Sequence, residues 1–201
     1  MKDAQKIALI ASFLLRYPDE QWYNELPEWR EDAQSVGHPQ LRQGLLEFFD
    51  YVEDANKKEF EDQYVRTFDF SQNTTMYLST YELQGTGEQA EELVKFKAFF
   101  LENGYDLPKE MPDYIPALLE LCAVIEEEKS KEIYDYCKPK LEYIRERFIE
   151  AKLPYAFLLI LSCLLQMDWR TVHDESISLG RIALHRIHLL NRRYLGSFLL
   201  F

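Results

Sequence analysis

The sequence has little glycine and proline, with 7 and 8 of them in 201 residues. So few interruptions are typical of helices joined by short turns. No run alternates polar and apolar residues for long enough to predict a strand, and no internal repeat or low-complexity linker is visible. Because 47% of the residues are hydrophobic, a chain of this length can bury one substantial core. We therefore predict an all-α fold, a single helical domain over residues 1–201 with about eight to ten helices.

Cysteines and long apolar runs are also scarce. The three cysteines, Cys122, Cys137 and Cys163, are an odd number and lie in helical apolar patterns, which indicates reduced, buried thiols and a cytoplasmic protein. The first residues lack the apolar core and cleavage site of a signal peptide. The longest apolar run, Leu153 to Met167, is shorter than the roughly 20 residues that span a bilayer. We interpret residues 154–167 as a buried central helix rather than a membrane segment.

Residues that carry chemistry are sparse. There are 4 histidines, no Cys-x-x-Cys pair and no Glu-x-x-His pair, so no metal site is expected. Gly85-Thr86-Gly87 has neither a preceding strand nor a following lysine, which argues against a nucleotide loop. No nucleophile stands beside a recognisable base motif. The sequence therefore predicts no enzyme activity and no bound cofactor.

Charge is unevenly distributed. The formal net charge is -12, yet from Gly180 to the end there are four arginines and no acid. An acidic body of this strength repels nucleic acid and anionic membranes and attracts basic peptide segments, so neither nucleic acid nor membrane insertion is expected. The basic, apolar residues 178–201 would form a C-terminal helix or tail. For Leu189–Phe201 the sequence leaves open a packed last helix, a homodimer contact and a flexible tail.

Apolar periodicity predicts the helices and several of their ends. We expect a helix from Trp22 to Ser35, and a stop at Gly104 for a helix that begins at Glu88. Residues Glu126–Glu128 would end the helix that begins near residue 115. The helix from Lys131 to Glu150 should kink or break at Pro139. Met76–Leu83 suits either an extended piece or a short helix.

The stretch from Glu110 to Leu121 carries two prolines and a carboxylate at a predicted helix start. Pro112 and Pro116 fit if the helix begins between them, because the first turn leaves backbone N–H groups unpaired. Asp113 is then the expected N-cap, accepting from the N–H of Tyr114 or Ile115.

Aromatic and acidic residues concentrate between Tyr64 and Glu120. Phenol rings beside carboxylates suit a groove for a peptide with apolar and basic side chains, because rings supply contact area and carboxylates pair with Arg or Lys. The alternative is ordinary core aromatics beneath a solvated acidic surface. The residues concerned are Tyr64, Phe68, Asp69, Phe70, Tyr77, Tyr81, Glu82, Glu110, Asp113, Tyr114 and Glu120.

Three motifs carry a resemblance to a known family. They are Ser12-Phe13-Leu14-Leu15-Arg16-Tyr17-Pro18-Asp19, then Tyr64-Val65-Arg66-Thr67-Phe68-Asp69, then Glu110-Met111-Pro112-Asp113-Tyr114-Ile115-Pro116 with Leu119-Glu120 beyond. In order and spacing they resemble the respiratory nitrate reductase delta subunit, the NarJ-type molybdenum-cofactor assembly chaperone of the TorD/DmsD-like redox-enzyme maturation proteins. The match covers roughly residues 7 to 126, and Glu-x-Pro-Asp is its most specific part.

The resemblance implies an all-helical, cytoplasmic chaperone that is not an enzyme. Its partner would be the apo catalytic subunit of respiratory nitrate reductase, bound chiefly by a basic, apolar N-terminal segment that resembles a remnant twin-arginine leader. The chaperone would assist molybdenum cofactor insertion before membrane attachment. The peptide-binding residues carried over or expected are Tyr64, Phe68, Asp69, Tyr81, Glu82, Glu110, Pro112, Asp113, Tyr114 and Glu120.

The chain departs from the family pattern after Tyr81-Glu82-Leu83-Gln84-Gly85. The family commonly has an Arg-x-Arg-Gly stretch there, whereas this chain has Gly85-Thr86-Gly87-Glu88-Gln89-Ala90 without the arginines. No role of those arginines can be assigned here. Two other functions stay open at this point: a direct carrier of the molybdopterin guanine dinucleotide cofactor, and a helical scaffold.

Overall fold

The structure, a computed structural model, describes residues 2–71, 74–80, 86–107 and 109–159. Within these ranges the regular elements are seven α-helices, the first residues of a further helix at 156–159 and one 3-10 turn, joined by loops, and an isolated antiparallel bridge pairs Tyr77 with Tyr114. The predicted all-α class is therefore confirmed. The elements are α1 (Asp3–Leu14), α2 (Glu20–Gln34), α3 (Pro39–Asp54), α4 (Lys57–Phe68), the 3-10 turn (Leu78–Thr80), α5 (Thr86–Glu102), α6 (Ile115–Val124) and α7 (Glu127–Glu150).

Local sequence signals account for several helix ends. The Asp19 carboxylate accepts from the Trp22 N–H at 2.8 Å and caps α2. The Asn56 side chain does the same for α4 by accepting from the Glu59 N–H at 3.3 Å. After α5, Gly104 has a φ of 80°, the left-handed conformation that glycine adopts without strain. The predicted stop at Gly104 is confirmed.

Helices α1 and α6 make the most extensive helix–helix contact in the described part of the chain, and both are buried over most of their length. The Ser12 hydroxyl of α1 donates to the Pro116 carbonyl of α6 at 2.9 Å, so the one polar side chain buried in this contact has a partner. Residues 155–159 are also fully buried, which agrees with the predicted central helix as far as residue 159. Residues 160–167 of that prediction lie outside the described residues.

One prediction about α7 is wrong, and of the kink or break predicted at Pro139 the break does not occur. Glu126–Glu128 do not end α6, because Glu126 is the N-cap residue of α7 and the other two acids lie in its first turn. Negative charge is favourable at that end of a helix, so the acidic run is a start signal. Pro139 does not break α7, which continues from Glu127 to Glu150. Pro139 is exposed, so the carbonyl that it leaves unpaired one turn earlier can bond to water.

Gly44 marks the tightest approach in the core. A Cβ atom built on Gly44 of α3 would lie 2.2 Å from Cζ of Phe157, a ring with no exposed surface. Any larger residue at position 44 must push this ring into a core that is already filled. Gly87 of α5 is a contrasting case, since a Cβ there meets nothing within 4 Å.

We predict that Gly44→Ala lowers the free energy of unfolding by about 1–3 kcal/mol, because overpacking outweighs the gain in helix propensity. Gly87→Ala, the matched control, should leave stability unchanged or raise it by up to about 1 kcal/mol. Urea unfolding followed by circular dichroism measures both. Combining Gly44→Ala with Phe157→Leu should recover part of the loss. Equal stability of the two alanine variants would contradict the close contact.

Candidate peptide-binding surface

Four tyrosine rings from separate segments form a continuous row. The rings of Tyr17 and Tyr64 meet edge to face at 5.6 Å between centroids. The hydroxyls of Tyr64 and Tyr114 are hydrogen-bonded to each other. The Tyr114 ring then packs against that of Tyr77 at 5.3 Å. We call Tyr17, Tyr64, Tyr114 and Tyr77 the tyrosine row.

Tyr64 anchors the row to the core. Its hydroxyl donates to the Leu15 carbonyl at 2.8 Å, and its ring packs on Phe68 at 4.7 Å and on Tyr155 at 6.2 Å. These contacts place α4 against the end of α1. Tyr64 and Phe68 are buried, as their spacing along α4 indicates, so they form the back of the row rather than its accessible face.

The phenols of Tyr64, Tyr114 and Tyr77 are neutral at physiological pH. Burial raises the pKa of Tyr64 well above its usual range and raises the pKa of Tyr114 to about 12. Burial also raises the pKa of Tyr77, followed by the charges of Glu110, Asp113 and Asp69. The rings therefore offer apolar area and hydroxyl groups, while any charge on this surface comes from the carboxylates around them.

Asp69 and Glu110 bring exposed negative charge to the row. Asp69 follows the end of α4, and Glu110 precedes α6 by several residues. Both raise the pKa of Tyr77, so two segments far apart in sequence converge on one ring. Glu110 also acts on Tyr114, and Asp69 also acts on Tyr64. The predicted pairing of carboxylates with aromatic rings is present at this place.

Exposed apolar side chains stand next to these carboxylates in the sequence. Phe70 follows Asp69 and is 81% exposed, and Met111 follows Glu110 and is 48% exposed. Tyr17 of the row is itself 46% exposed. Large exposed apolar side chains are typical of an interaction surface, and Phe70 and Met111 are sequence neighbours of the two carboxylates that converge on Tyr77. Pro112, next in sequence to Met111, is half-buried.

Asp113 does not cap α6, so that prediction is wrong. Helix α6 begins at Ile115, with Tyr114 at the N-cap position. The two N–H groups that Asp113 was expected to bind already have backbone acceptors: Tyr114 donates to the Met111 carbonyl at 3.1 Å and Ile115 to the Met76 carbonyl at 3.0 Å. The Met76 acceptor comes from a distant segment that no local rule could supply.

The Asp113 carboxylate instead holds the 3-10 turn. One of its oxygens accepts from the Ser79 hydroxyl at 2.6 Å and from the Ser79 N–H at 3.1 Å. The Asp113 carbonyl also accepts from the Leu78 N–H at 3.1 Å. With only 1% of its surface exposed, Asp113 positions the chain on either side of Tyr77 and Tyr114 and does not face solvent. Met76–Leu83, left open between extended and helical, is a bridge at Tyr77 followed by a 3-10 turn, with residues 81–83 outside the described ranges.

Glu120 is paired within the chain. Its carboxylate forms an ion pair with Arg16, and the Ser12 hydroxyl lies 3.3 Å from the same oxygen. Arg16 also acts on Tyr114, lowering its pKa against the larger effect of burial, so this pair lies beside the row. Glu120 is therefore a partly neutralised carboxylate, in contrast to Asp69 and Glu110.

The structure brings most of the predicted binding residues to one region, with different roles. Tyr64, Phe68 and Asp113 are buried supports, whereas Asp69 and Glu110 are exposed and Pro112, Tyr114 and Glu120 are half-buried. Tyr81 and Glu82 lie outside the described residues. Selection of binding residues from sequence missed Arg16, Tyr17 and Met111. The signal was present, because all three stand inside the motifs that carry the family resemblance.

The described ranges contain neither a membrane-spanning helix nor a metal-binding cluster. None of the helices placed there is both long and apolar enough to cross a bilayer. Among the same residues, no three or more His, Cys, Asp or Glu side chains gather in a way that could hold a metal ion.

The family model and the relatives that match this chain all belong with nitrate reductase. A family model described as "Nitrate reductase delta subunit" matches residues 33–160. The "Probable nitrate reductase molybdenum cofactor assembly chaperone NarJ" of Bacillus subtilis (strain 168) is 35% identical over 74% of this chain and 81% of its own length. The "Probable nitrate reductase molybdenum cofactor assembly chaperone NarW" of Escherichia coli (strain K12) is 23% identical over 86% of this chain and 72% of its own length.

A longer protein matches over a shorter region. The "Nitrate reductase-like protein NarX" of Mycobacterium tuberculosis (strain ATCC 25618 / H37Rv) is 26% identical over 50% of this chain, which corresponds to 16% of that protein. The family match covers well over half of the chain, and the Bacillus relative exceeds 30% identity over most of both proteins. The chain therefore belongs to the nitrate reductase delta subunit family.

Proposed function

We propose that this chain is a cytoplasmic assembly chaperone, not an enzyme, for a respiratory nitrate reductase. It binds the basic, apolar N-terminal segment of the apo catalytic subunit, assists insertion of the molybdenum cofactor and acts before membrane attachment. Family membership and the names of two relatives support the assembly role. The observation that carries the binding site is the tyrosine row, with the carboxylates of Asp69 and Glu110 beside it.

The chemistry of the row fits such a segment. Neutral phenol rings supply contact area for apolar side chains and a face for cationic ones. The exposed Asp69 and Glu110 pair with basic residues at the edge, where ion pairs add orientation and association rate more than affinity. The formal net charge of -12 attracts a basic segment from a distance. In this proposal the molybdenum cofactor is cargo for the partner, and this chain contributes binding alone.

We predict that a synthetic peptide copying the N-terminal segment of the nitrate reductase catalytic subunit binds with a Kd in the micromolar range or below. Binding should weaken as salt is raised, because the attraction is electrostatic. Isothermal titration calorimetry at low and high salt measures this. Absence of binding heat at low salt, together with no change in protein fluorescence, would count against the proposal.

Neutralising Asp69 and Glu110 should raise the Kd of this peptide about threefold to tenfold, since exposed ion pairs contribute roughly 0.2–1 kcal/mol each. The variant is Asp69→Asn with Glu110→Gln. Its matched control is Glu102→Gln with Glu132→Gln, which removes the same charge from exposed positions on α5 and α7, helices that contribute no ring to the row. Calorimetry on both variants separates the effect of ion pairs at the row from the effect of overall net charge on peptide affinity. An equal loss in the two would place the binding site elsewhere.

Asp113 should act on stability rather than on contact with the peptide. Asp113→Ala leaves the Ser79 N–H and hydroxyl without their acceptor in a buried place, and we expect a loss of about 1–3 kcal/mol of unfolding free energy. Asp113→Asn keeps an acceptor oxygen, so it should lose less and bind the peptide within about twofold of the parent. Urea unfolding and calorimetry test the two variants together. A stable Asp113→Asn protein that no longer binds would show that the carboxylate contacts the partner.

A further inference from the structure

The last part of the sequence has a charge opposite to that of the rest. From Gly180 to Phe201 it carries four arginines and no acid, so the first 179 residues are four charges more negative than the net -12 of the whole chain. Within it, residues 189–201 place Arg192 and Arg193 side by side among leucines and aromatic residues. We call residues 189–201 the basic ending.

We propose that the basic ending is an internal ligand of the tyrosine row, which it occupies in the same chain and yields to the partner segment. The inference rests on the proposed function for the identity of the competing partner. Binding of the basic ending to the tyrosine row depends only on residues of this chain.

The tyrosine row and the basic ending are chemically complementary. The row offers apolar rings, exposed Phe70 and Met111, and the carboxylates of Asp69 and Glu110 next to them. The basic ending offers a pair of guanidinium groups next to Tyr194, Leu195 and Phe198. Arginine pairs with carboxylates in a forked geometry and stacks on aromatic faces, so both features of the row suit it. This is the same ligand chemistry, basic and apolar, that we propose for the partner segment.

The basic ending can reach the row. The last described residues lie beneath it, since the Tyr155 ring is 6.2 Å from that of Tyr64 and 4.8 Å from that of Phe68. From Leu159 to Arg192 the chain advances by 33 residues. A connection of this length reaches up to about 100 Å when extended, because each extended residue adds about 3.3 Å. A folded chain of this size is roughly 40 Å across, so attachment at residue 159 does not prevent contact with the row.

Attachment also makes weak binding sufficient. A tethered ligand is present at an effective concentration on the order of 1 mM. If the free basic ending binds with a Kd of about 100 µM, the tethered form occupies the row about nine-tenths of the time. The apparent Kd of any competing peptide is then about tenfold higher than for an unoccupied row. Sequences that are merely basic and apolar would be excluded, and a partner that makes additional contacts would displace the internal ligand.

The test compares charge reversal in the full chain with a matched control. The variant Arg192→Glu with Arg193→Glu disables the internal ligand. The control Lys58→Glu with Lys97→Glu makes the same change in net charge at exposed positions on α4 and α5. Two probes are titrated: a fluorescein-labelled peptide copying residues 189–201, followed by anisotropy, and the partner-segment peptide, followed by calorimetry.

We expect both probes to bind the Arg192→Glu, Arg193→Glu chain about tenfold more tightly than the parent, and the control chain within about twofold of the parent. Adding Asp69→Asn and Glu110→Gln to the reversed chain should remove the gain for the labelled peptide. Equal affinity of the partner peptide for parent and reversed chains overturns the internal ligand while leaving the proposed function standing. Binding of the labelled peptide alone, tighter to the reversed chain, supports the internal ligand and counts against the proposed function.

A second measurement keeps the proposal testable if charge reversal impairs folding. With p-benzoylphenylalanine in place of Tyr194 in the otherwise unchanged chain, irradiation should cross-link the basic ending to residues 64–71 or 109–114. Mixing isotopically light and heavy chains shows whether the cross-link forms within one chain. Cross-links only between chains would mean that the ending binds a second copy, and cross-links only to other helices would mean that it packs elsewhere. Either result overturns the proposal.

Discussion

A small set of hydrogen bonds between residues 76–79 and 111–115 determines where the candidate site lies. The Ile115 N–H donates to the Met76 carbonyl, the Leu78 N–H donates to the Asp113 carbonyl, and Ser79 donates twice to the Asp113 carboxylate. Bonds to a buried carboxylate contribute about 1.5–3 kcal/mol each, more than neutral pairs. Tyr77 and Tyr114 stand on these two segments and face each other because the segments are tied. Without this tie the tyrosine row would end at Tyr64, and Glu110 would have no fixed relation to Asp69.

The buried and the exposed residues of the tyrosine row and its surroundings have different roles. Tyr64 and Phe68 belong to the core, where they pack on Tyr155, and they hold the accessible rings at fixed positions. Charge appears where solvent reaches, at Asp69 and Glu110, and Glu120 is balanced by Arg16. A surface built this way gains affinity from apolar contact and orientation from charge. It suits a ligand that is basic and apolar along a short segment better than one that is uniformly charged.

The sequence predicts what depends on neighbours along the chain and fails where distant segments meet. The stripe of Phe60, Tyr64 and Phe68 is buried as its helical spacing indicates, and Gly104 ends α5. The role of Asp113 could not be derived locally, because capping rules describe a helix alone and the acceptor for Ile115 lies in the loop that contains Met76. The convergence of Asp69 and Glu110 on Tyr77 likewise depends on tertiary structure, although the sequence alone indicated which aromatic and acidic residues to consider. Tyr17 was overlooked because it follows a helix and belongs to no periodic stripe.

Rigidity at the back of the row has a consequence for recognition. Association orders side chains at a cost of about 0.5–1.5 kcal/mol for each one immobilised. Tyr64 is already fixed by the Leu15 carbonyl and by ring contacts, and Tyr114 is fixed by its bond to Tyr64, so a ligand orders neither of them. The cost falls instead on the exposed Tyr17, Phe70 and Met111 and on the ligand. In the proposed binding mode these exposed side chains distinguish between ligands of similar charge, because they are the ones that change their contacts on binding. The buried rings set only the common requirement for an apolar face.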